Sequence, residues 1–191
     1  MVIKYIKLEN SFNPTLLKRS LSSIINKIPY EQNQISLQHR SGVADLNDGI
    51  KRGEAFWYNK EAGQTDMEFC NFYEKIQNEY IVECLKKLPF KVYRTRIMVL
   101  EPQTCYPLHY DKAIRLQIPI DTAENQGRFV FESGELLNLE EGSVYVLNTT
   151  ERHSAINFNK YKKRTHLISC LEEKEKTNNE FVKNIYKQFN L

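Results

Sequence analysis

Seven short segments between residues 91 and 171 decide the fold: KVYRTRIMVLE (91–101), AIRLQIPI (113–120), RFVFE (128–132), ELLNL (135–139), VYVLN (144–148), HSAINF (153–158) and RTHLISCL (164–171). Most of them are rich in branched and aromatic residues, and Pro, Gly, Asn and charged residues separate them. Short strands at this regular spacing are typical of an all-β sandwich or barrel. The segments therefore predict a mainly β jelly roll of about eight strands, which would enclose a pocket between two sheets.

The other segments predict helices that pack on this β core. Residues 13–28 begin with Asn and Pro, a good helix start, and continue with Leu and Ile at helical spacing. Residues 65–88 begin with the capping-box pattern Thr-Asp-Met-Glu and predict one long amphipathic helix that ends before Pro89. Apolar residues at 181–189 predict a final helix, and the pattern of residues 2–8 predicts an edge strand.

A chain of 191 residues is long enough for one well-packed domain and short for two. We expect a single domain in which residues 1–89 form a helical and loop-rich support, 90–171 the jelly-roll core, and 172–191 a tail with a helix. Within the support, residues 33–64 contain several glycines and aromatic residues. This segment either forms a wall of the substrate site or is a plain connection.

Composition excludes several classes of partner. The net charge is only +3, from 27 basic and 24 acidic residues, which gives no basis for binding nucleic acid or a membrane surface. No apolar run is long enough to span a bilayer. None of the four cysteines is in a Cys-x-x-Cys pair or at zinc-site spacing. We therefore expect a cytoplasmic protein with reduced thiols.

The residues with a recognisable chemistry are His109, Asp111, His153 and Arg164. His109 and Asp111 are two positions apart, which places both side chains on one face of an extended segment, as a shared metal requires. This spacing alone is close to chance, but His153 and Arg164 each begin another predicted strand. Two imidazoles and a carboxylate can hold Fe(II) and leave positions open. An arginine inside a small barrel is costly unless it meets an anion such as a carboxylate.

Five segments of the C-terminal half carry a family resemblance: RIMVLEP (96–102), LHYD (108–111), RLQIPI (115–120), LNTTERHSAIN (147–157) and RTHLI (164–168). In order and spacing they resemble the aspartyl/asparaginyl β-hydroxylase family of 2-oxoglutarate- and Fe(II)-dependent oxygenases. The resemblance covers about two-fifths of the chain, and the N-terminal half carries none of its motifs.

The resemblance implies a double-stranded β-helix with His109, Asp111 and His153 as iron ligands. It also implies that Arg164 grips the distal carboxylate of 2-oxoglutarate. The family motif Arg-x-His-x-Pro contains a His that helps to hold this cosubstrate, and Gln117 stands in its place here. A glutamine can donate to a carboxylate without bringing a charge.

Three further residues are candidates for the same pocket. By strand period, His166 shares a face with Arg164, and it either contacts the cosubstrate or is a hydrogen-bonded core residue. Arg115 either binds a substrate carboxylate or forms a cross-strand salt bridge. Arg96 resembles a recurrent family arginine and is a candidate substrate contact. Candidates for the substrate wall are His39, Arg52, Trp57 and Tyr58.

The predicted function is a 2-oxoglutarate- and Fe(II)-dependent dioxygenase. It would use O2 to hydroxylate a C–H bond of an amino acid, free or in a peptide or protein, like an aspartyl/asparaginyl or prolyl hydroxylase. One alternative is a cupin-type metal enzyme that works without 2-oxoglutarate, and such chemistry would not need Arg164. The other alternative is a non-catalytic jelly-roll binding module, against which the intact set of metal ligands argues.

Overall fold

A computed structural model describes residues 3–50 and 65–191 of the chain. The strands are β1 (Tyr5–Ser11), β2 (Gln34–Ser36), β3 (Gln38–His39), β4 (Asn71–Phe72), β5 (Tyr93–Leu100), β6 (Thr104–Cys105), β7 (Arg115–Asp121), β8 (Gly127–Phe131), β9 (Leu136–Leu137), β10 (Ser143–Leu147), β11 (His153–Asn157) and β12 (Arg164–Cys170). The α-helices are α1 (Pro14–Ile25), α2 (Tyr80–Lys86) and α3 (Glu180–Gln188), and 3-10 turns cover Asp66–Glu68 and Glu74–Ile76.

The strands form two main antiparallel sheets. The large sheet has the order β1-β10-β7-β12-β5-β2, and the small sheet has the order β6-β11-β8-β9. The short strands β3 and β4 pair separately. This arrangement confirms the predicted double-stranded β-helix, and its large sheet also takes in β1 and β2 from the N-terminal part of the chain.

The two faces of the large sheet differ in chemistry because side chains alternate along a strand. On β7, Leu116, Ile118 and Ile120 belong to the main apolar core, which they share with residues of α1, α2 and α3. The intervening Arg115 and Gln117 line a cavity on the other face. The helices therefore cover one face, and polar side chains meet on the other.

A second apolar cluster joins the two sheets beside this cavity. Its members come from β5, β8, β9, β10 and β11 and from the turn before β10. They are Leu100, Phe129, Phe131, Leu137, Leu139, Tyr145, Leu147 and Ala155. Because Phe129 and Ala155 also line the cavity, this cluster forms part of the cavity's apolar wall.

The predicted helices at both ends of the chain are present with their caps. The Asn13 side chain accepts a hydrogen bond from the backbone of Leu16 at 3.2 Å, and Pro14 is the first residue of α1. Asn179 caps α3 in the same way, by accepting from the backbone of Phe181 at 2.9 Å. Across the described residues, none of the helices has both the length and the apolar character needed to cross a membrane.

The single long helix predicted for residues 65–88 is wrong. Only the end of this segment is α-helical, as α2, and the earlier part contains two 3-10 turns with β4 between them. Its backbone is bonded to neighbouring strands instead: Phe69 accepts from the Arg94 amide at 2.9 Å, and the Tyr73 amide donates to Leu37 at 3.3 Å. These tertiary hydrogen bonds override the helical spacing of the apolar residues.

The packing of β7 gives a prediction for stability. Leu116 is fully buried beneath the helices, so Leu116→Ala should lower the free energy of unfolding by about 2–5 kcal/mol. The matched control is Leu136→Ala on β9, because Leu136 is 60% exposed and its loss should change stability by about 0.5 kcal/mol or less. Urea unfolding of both variants measures the difference, and equal losses would contradict this account of the core.

Candidate metal centre

A cavity of about 190 Å³ lies between the large and the small sheet. Its lining combines charged, aromatic and apolar side chains from both sheets and from the segment before β7. The lining residues are Arg96, Met98, Tyr106, His109, Asp111, Arg115, Gln117, Phe129, His153, Ala155, Arg164 and Ile168. Most of the residues that the sequence singled out therefore meet in one place.

His109, Asp111 and His153 form a group that could share a metal ion. One ligand atom from each lies within 4.8 Å of the others, about twice a metal–ligand bond of roughly 2.0–2.2 Å. The Nε2 atom of His153 is 3.8 Å from Oδ2 of Asp111. Within residues 3–50 and 65–191, no other group of three His, Cys, Asp or Glu side chains meets this criterion.

Backbone hydrogen bonds fix the relative positions of these three residues. His109 and His153 form an antiparallel bridge in which each amide donates to the other carbonyl, at 3.0 and 2.7 Å. The Asp111 amide donates to the carbonyl of Thr149 at 2.8 Å. The segment that carries the His-x-Asp pair is thus attached to the β10–β11 connection and to the start of β11.

The hydrogen bonds of the two imidazoles leave one nitrogen of each for a metal. Nδ1 of His109 is 2.7 Å from the carbonyl oxygen of Pro107, and Nδ1 of His153 is 2.8 Å from that of Glu151. Because a carbonyl can only accept, Nδ1 donates in both cases. The Nε2 lone pairs are then free to coordinate, which is the arrangement usual for metal-bound histidines.

Electrostatics keep His153 and Asp111 in the protonation states that a metal needs. Burial lowers the pKa of His153 to about 4, against the opposing charge of Asp111, so the ring is neutral near pH 7. Burial would raise the pKa of Asp111, but the charge and hydrogen bonds of Arg115 outweigh it and lower that pKa. The site therefore offers a neutral His153 imidazole and an ionised Asp111 carboxylate, which together with His109 form a donor set that fits Fe(II).

Arg164, predicted to bind the cosubstrate, lies at the start of β12 and is only 3% exposed. Its Nη2 atom is 3.1 Å from Nδ1 of His166. That same Nδ1 is 3.2 Å from Oε1 of Gln117 on the adjacent strand β7. The three residues that were predicted to hold the cosubstrate therefore form one buried cluster, with Arg164 and Gln117 on the cavity wall.

The two predicted substrate arginines have different surroundings. Arg115 is bonded to two carboxylates: its Nη1 is 3.0 Å from Asp66, and its Nε is 3.2 Å from Asp111. Arg96 is bonded through Nη1 to the Gln34 side chain at 3.0 Å, and its buried Nε has no hydrogen-bond partner among the described residues. Burial, followed by the charge of Arg94, lowers the pKa of Arg96 to about 10.

Of the four candidates for the substrate wall, His39 is the one that lies within the described residues. Arg52, Trp57 and Tyr58 lie outside the described residues. His39 is half-buried and stacks on Tyr73 at a ring-centroid distance of 4.7 Å, away from the residues that line the cavity.

Sequence reasoning missed several residues of the site. Phe129 stacks on the His153 ring with centroids 5.0 Å apart and an angle of 16°, which restricts the orientation of that imidazole. Tyr106 lines the cavity three positions before His109, and Asp66 reaches the site through Arg115. The only signal at Asp66 was the capping box, which indicated a helix start and no role in a site.

Comparison with known proteins adds evidence on the fold. No family model and no curated protein matches the sequence. Among solved structures, AviO1 from Streptomyces viridochromogenes Tue57 is 11% identical over 90% of each chain, with a TM-score of 0.51. An oxidoreductase of the 2OG-Fe(II) oxygenase family from Burkholderia pseudomallei is 15% identical over 87% of this chain and 83% of its own, with a TM-score of 0.48.

The viral collagen prolyl hydroxylase vCPH from Paramecium Bursaria Chlorella virus-1 is 13% identical over 89% of this chain and 91% of its own, with a TM-score of 0.47. Of these three structures, the Burkholderia pseudomallei protein is the one named as a member of the 2OG-Fe(II) oxygenase family. At these identities, the similarity to AviO1 establishes a shared fold. The resemblance to the aspartyl/asparaginyl β-hydroxylase family stays a prediction.

Proposed function

We propose that this protein is a 2-oxoglutarate- and Fe(II)-dependent dioxygenase that hydroxylates a C–H bond of an amino acid, free or in a peptide or protein. The main support is that one cavity contains both the His109–Asp111–His153 group and the buried Arg164 guanidinium. A metal site alone would suit many reactions, and a buried cation alone would suit any anion. Together they suit a reaction in which an anionic cosubstrate lies beside a metal.

In this proposal His109, Asp111 and His153 would be the metal ligands, and a set of two imidazoles and one carboxylate would leave coordination positions for other groups. When bound, Fe(II) and 2-oxoglutarate supply O2 activation and the two electrons that accompany hydroxylation. The protein orients these groups: the carbonyl-bonded Nδ1 atoms aim the imidazoles, and the stacked ring of Phe129 holds His153 in place. The apolar side chains on the cavity wall limit the access of water.

Arg164 is the residue that most favours a dicarboxylate cosubstrate. Burial lowers its pKa to about 10, and no carboxylate of the described residues forms an ion pair with it. Its Nε is buried without a hydrogen-bond partner among those residues. An unpaired buried cation is expensive, and a carboxylate that accepts two parallel N–H bonds would remove most of that cost.

The strand opposite Arg164 is adapted to its side chain. A Cβ atom built at Gly127 on β8 would lie 2.6 Å from Cδ and 3.0 Å from Nε of Arg164. Glycine at this position therefore leaves room for the arginine stem to cross towards the cavity. His166 would hold the guanidinium from the other side by accepting a hydrogen bond at Nδ1, and burial keeps the pKa of His166 well below its usual value, so that it binds as a neutral ring.

For the substrate, we propose that Arg96 binds an anionic group of the amino acid. Arg96 lines the cavity, its Nε has no hydrogen-bond partner among the described residues, and the Gln34 contact fixes Nη1 of the guanidinium. Arg115 is the weaker candidate for this role because two carboxylates already occupy its donors.

The central prediction is a spectroscopic and catalytic one. Anaerobic addition of Fe(II) and 2-oxoglutarate to the protein should give a weak visible charge-transfer band. In air, an amino acid or short peptide from a substrate panel should stimulate succinate formation. His153→Ala should abolish both signals because it removes a metal ligand. A wild-type protein with neither the band nor succinate would overturn the proposal, and metal-dependent turnover without succinate would favour a cupin-type reaction.

Arg164 gives a second test of the same function. Arg164→Gln should bind Fe(II) normally but weaken 2-oxoglutarate binding by about 10- to 100-fold, because charge-assisted hydrogen bonds are lost. The matched control is Lys163→Gln, since Lys163 is adjacent in sequence, 56% exposed and paired with Glu101. Equal 2-oxoglutarate affinity in the two variants would exclude Arg164 as the cosubstrate anchor.

Gly127 provides a test that leaves every polar group in place. Gly127→Ala should displace the Arg164 stem and weaken 2-oxoglutarate binding, while Fe(II) binding stays unchanged. In an Arg164→Gln background the same substitution should cause little further loss, because the guanidinium that it would displace is already absent. Calorimetric titration of the single and double variants measures both effects; a Gly127→Ala protein with wild-type affinity would refute the proposed packing.

A further inference from the structure

We propose that Asp66 is a positioning residue for the metal centre: it holds Arg115, which in turn orients the ligand Asp111. The inference rests on the proposed metal centre but needs neither 2-oxoglutarate binding nor turnover. It gives Arg115 the role of supporting the metal ligand Asp111. It also gives a function to the 3-10 turn Asp66–Glu68, which the sequence identified only as a helix start.

The first step is the contact between Arg115 and Asp111. Nε of Arg115 is 3.2 Å from Oδ2 of Asp111, and Nη2 is 3.3 Å from Oδ1. This parallel pairing engages both carboxylate oxygens and constrains the plane of the carboxylate. Arg115 is 6% exposed, so little water competes for these bonds. The orientation of Asp111 therefore depends on where the Arg115 guanidinium is held.

The second step is the contact that holds Arg115 from its other side. Its remaining terminal nitrogen, Nη1, is 3.0 Å from Oδ2 of Asp66 and also contacts the thiol of Cys170. Cys170 donates to the same Asp66 oxygen at 3.2 Å. The charge on Arg115 is thus shared between two carboxylates, one on the metal side and one on the side of the 3-10 turn.

The third step is the anchoring of Asp66 itself. Nη1 of Arg94 donates to Oδ1 of Asp66 at 2.8 Å, and Nε of Arg94 donates to the carbonyl of Gly49 at 3.1 Å. Arg94 has a φ of +46°, a left-handed conformation that is uncommon for a residue other than glycine. Irregular strand geometry of this kind often redirects a side chain next to a functional site.

Besides Arg115, the side chains of Arg94 and Cys170 also bond to Asp66, and both residues lie at one register shift of the large sheet. The register between β5 and β12 shifts between Ile168 and Cys170, directly opposite the strained Arg94. Regular pairing would be more favourable for the sheet alone. The irregularity instead directs both side chains at a single carboxylate, which supports a role for Asp66 beyond packing.

The charges in this cluster alternate. Arg94, Asp66, Arg115 and Asp111 form a row of plus, minus, plus, minus that ends at the metal ligands, with both arginines buried and both aspartates half-buried. Burial would raise the pKa of Asp66, but the charges of Arg115 and Arg94 lower it strongly, so the carboxylate is ionised. Without that charge, Arg115 would be balanced mainly by Asp111, and two guanidinium groups would repel a metal cation nearby. Both effects lower metal affinity.

The test is a Co(II) titration of the full chain, monitored by d–d absorption, without cosubstrate. Asp66→Asn should weaken Co(II) binding by about 10- to 100-fold, the loss typical for partners of metal ligands, and should change the d–d spectrum because Asp111 is reoriented. The matched control is Glu79→Gln. Glu79 is similarly buried and paired with Lys27, but it lies beside α1, away from the cavity.

A double-mutant cycle separates positioning from general stability. If Asp66 acts through Arg115, Asp66→Asn should cost no further Co(II) affinity in an Arg115→Gln background. Thermal unfolding of each variant verifies that the titrated protein is folded. Wild-type affinity and spectrum in Asp66→Asn, additive losses in the cycle, or an equal loss of affinity in Glu79→Gln would each overturn the inference.

Failure of the inference is distinguishable from failure of the proposed function. A wild-type protein that binds no Co(II) refutes the metal centre, and the role of Asp66 with it. A wild-type protein that binds Co(II) with an unaffected Asp66→Asn variant refutes the positioning role alone. Co(II) binding that depends on Asp66 in a protein without affinity for 2-oxoglutarate refutes the oxygenase and leaves the positioning role standing.

Discussion

The presence of three arginines on the inner face of the large sheet, Arg115 and Arg164 buried and Arg96 half-buried, is the constraint on which the rest of the site depends. Arg96, Arg115 and Arg164 all line one cavity of about 190 Å³. A buried cation needs a counter-charge or it destabilises the fold. For Arg115 the protein supplies two carboxylates, whereas no ion pair within the described chain neutralises Arg96 or Arg164. Anionic ligands are therefore the natural complement of this cavity.

The surrounding structure accommodates these arginines without weakening the core. Strand alternation places the apolar residues of β5, β7 and β12 against the helices, so that stability and chemistry occupy opposite faces of the same strands. Changes on the inner face can then alter binding without removing the main apolar core. Two local features position the charged groups. Glycine at position 127 leaves room for the Arg164 side chain, and the left-handed backbone of Arg94 sets the direction of its guanidinium.

Much of this architecture could be predicted from the sequence because it depends on local periodicity. Arg115 and Gln117 were predicted from the family resemblance, whereas the two-residue spacing of His109 and Asp111 and the strand starts at His153 and Arg164 come from the residues themselves. These are short-range properties of strands and turns. The fold follows from them, whereas the members of the metal cluster were predicted from the spacing, the strand starts and the family resemblance together.

The parts that could not be predicted depend on long-range contacts. Asp66 is paired with Arg94 and Arg115, which are 28 and 49 positions away, and no local pattern encodes those pairings. Phe129 has the sequence appearance of any core aromatic residue, although it stacks on His153. The segment from residue 65 to 88 has apolar residues at helical spacing. Its backbone nevertheless forms hydrogen bonds with Leu37 and Arg94 of neighbouring segments, and only α2 is α-helical.

The order of the large sheet also has a consequence for how the protein is made. Its two edge strands, β1 and β2, come from the first 36 residues, whereas the four strands between them come from residues 93–170. Tyr5 pairs with Leu147, so the outermost ladder closes a loop of more than a hundred residues. Such non-local pairing slows folding. During synthesis on the ribosome, β1 must wait until β10 has emerged, and Arg164, at the start of β12, is translated after every residue of the metal cluster.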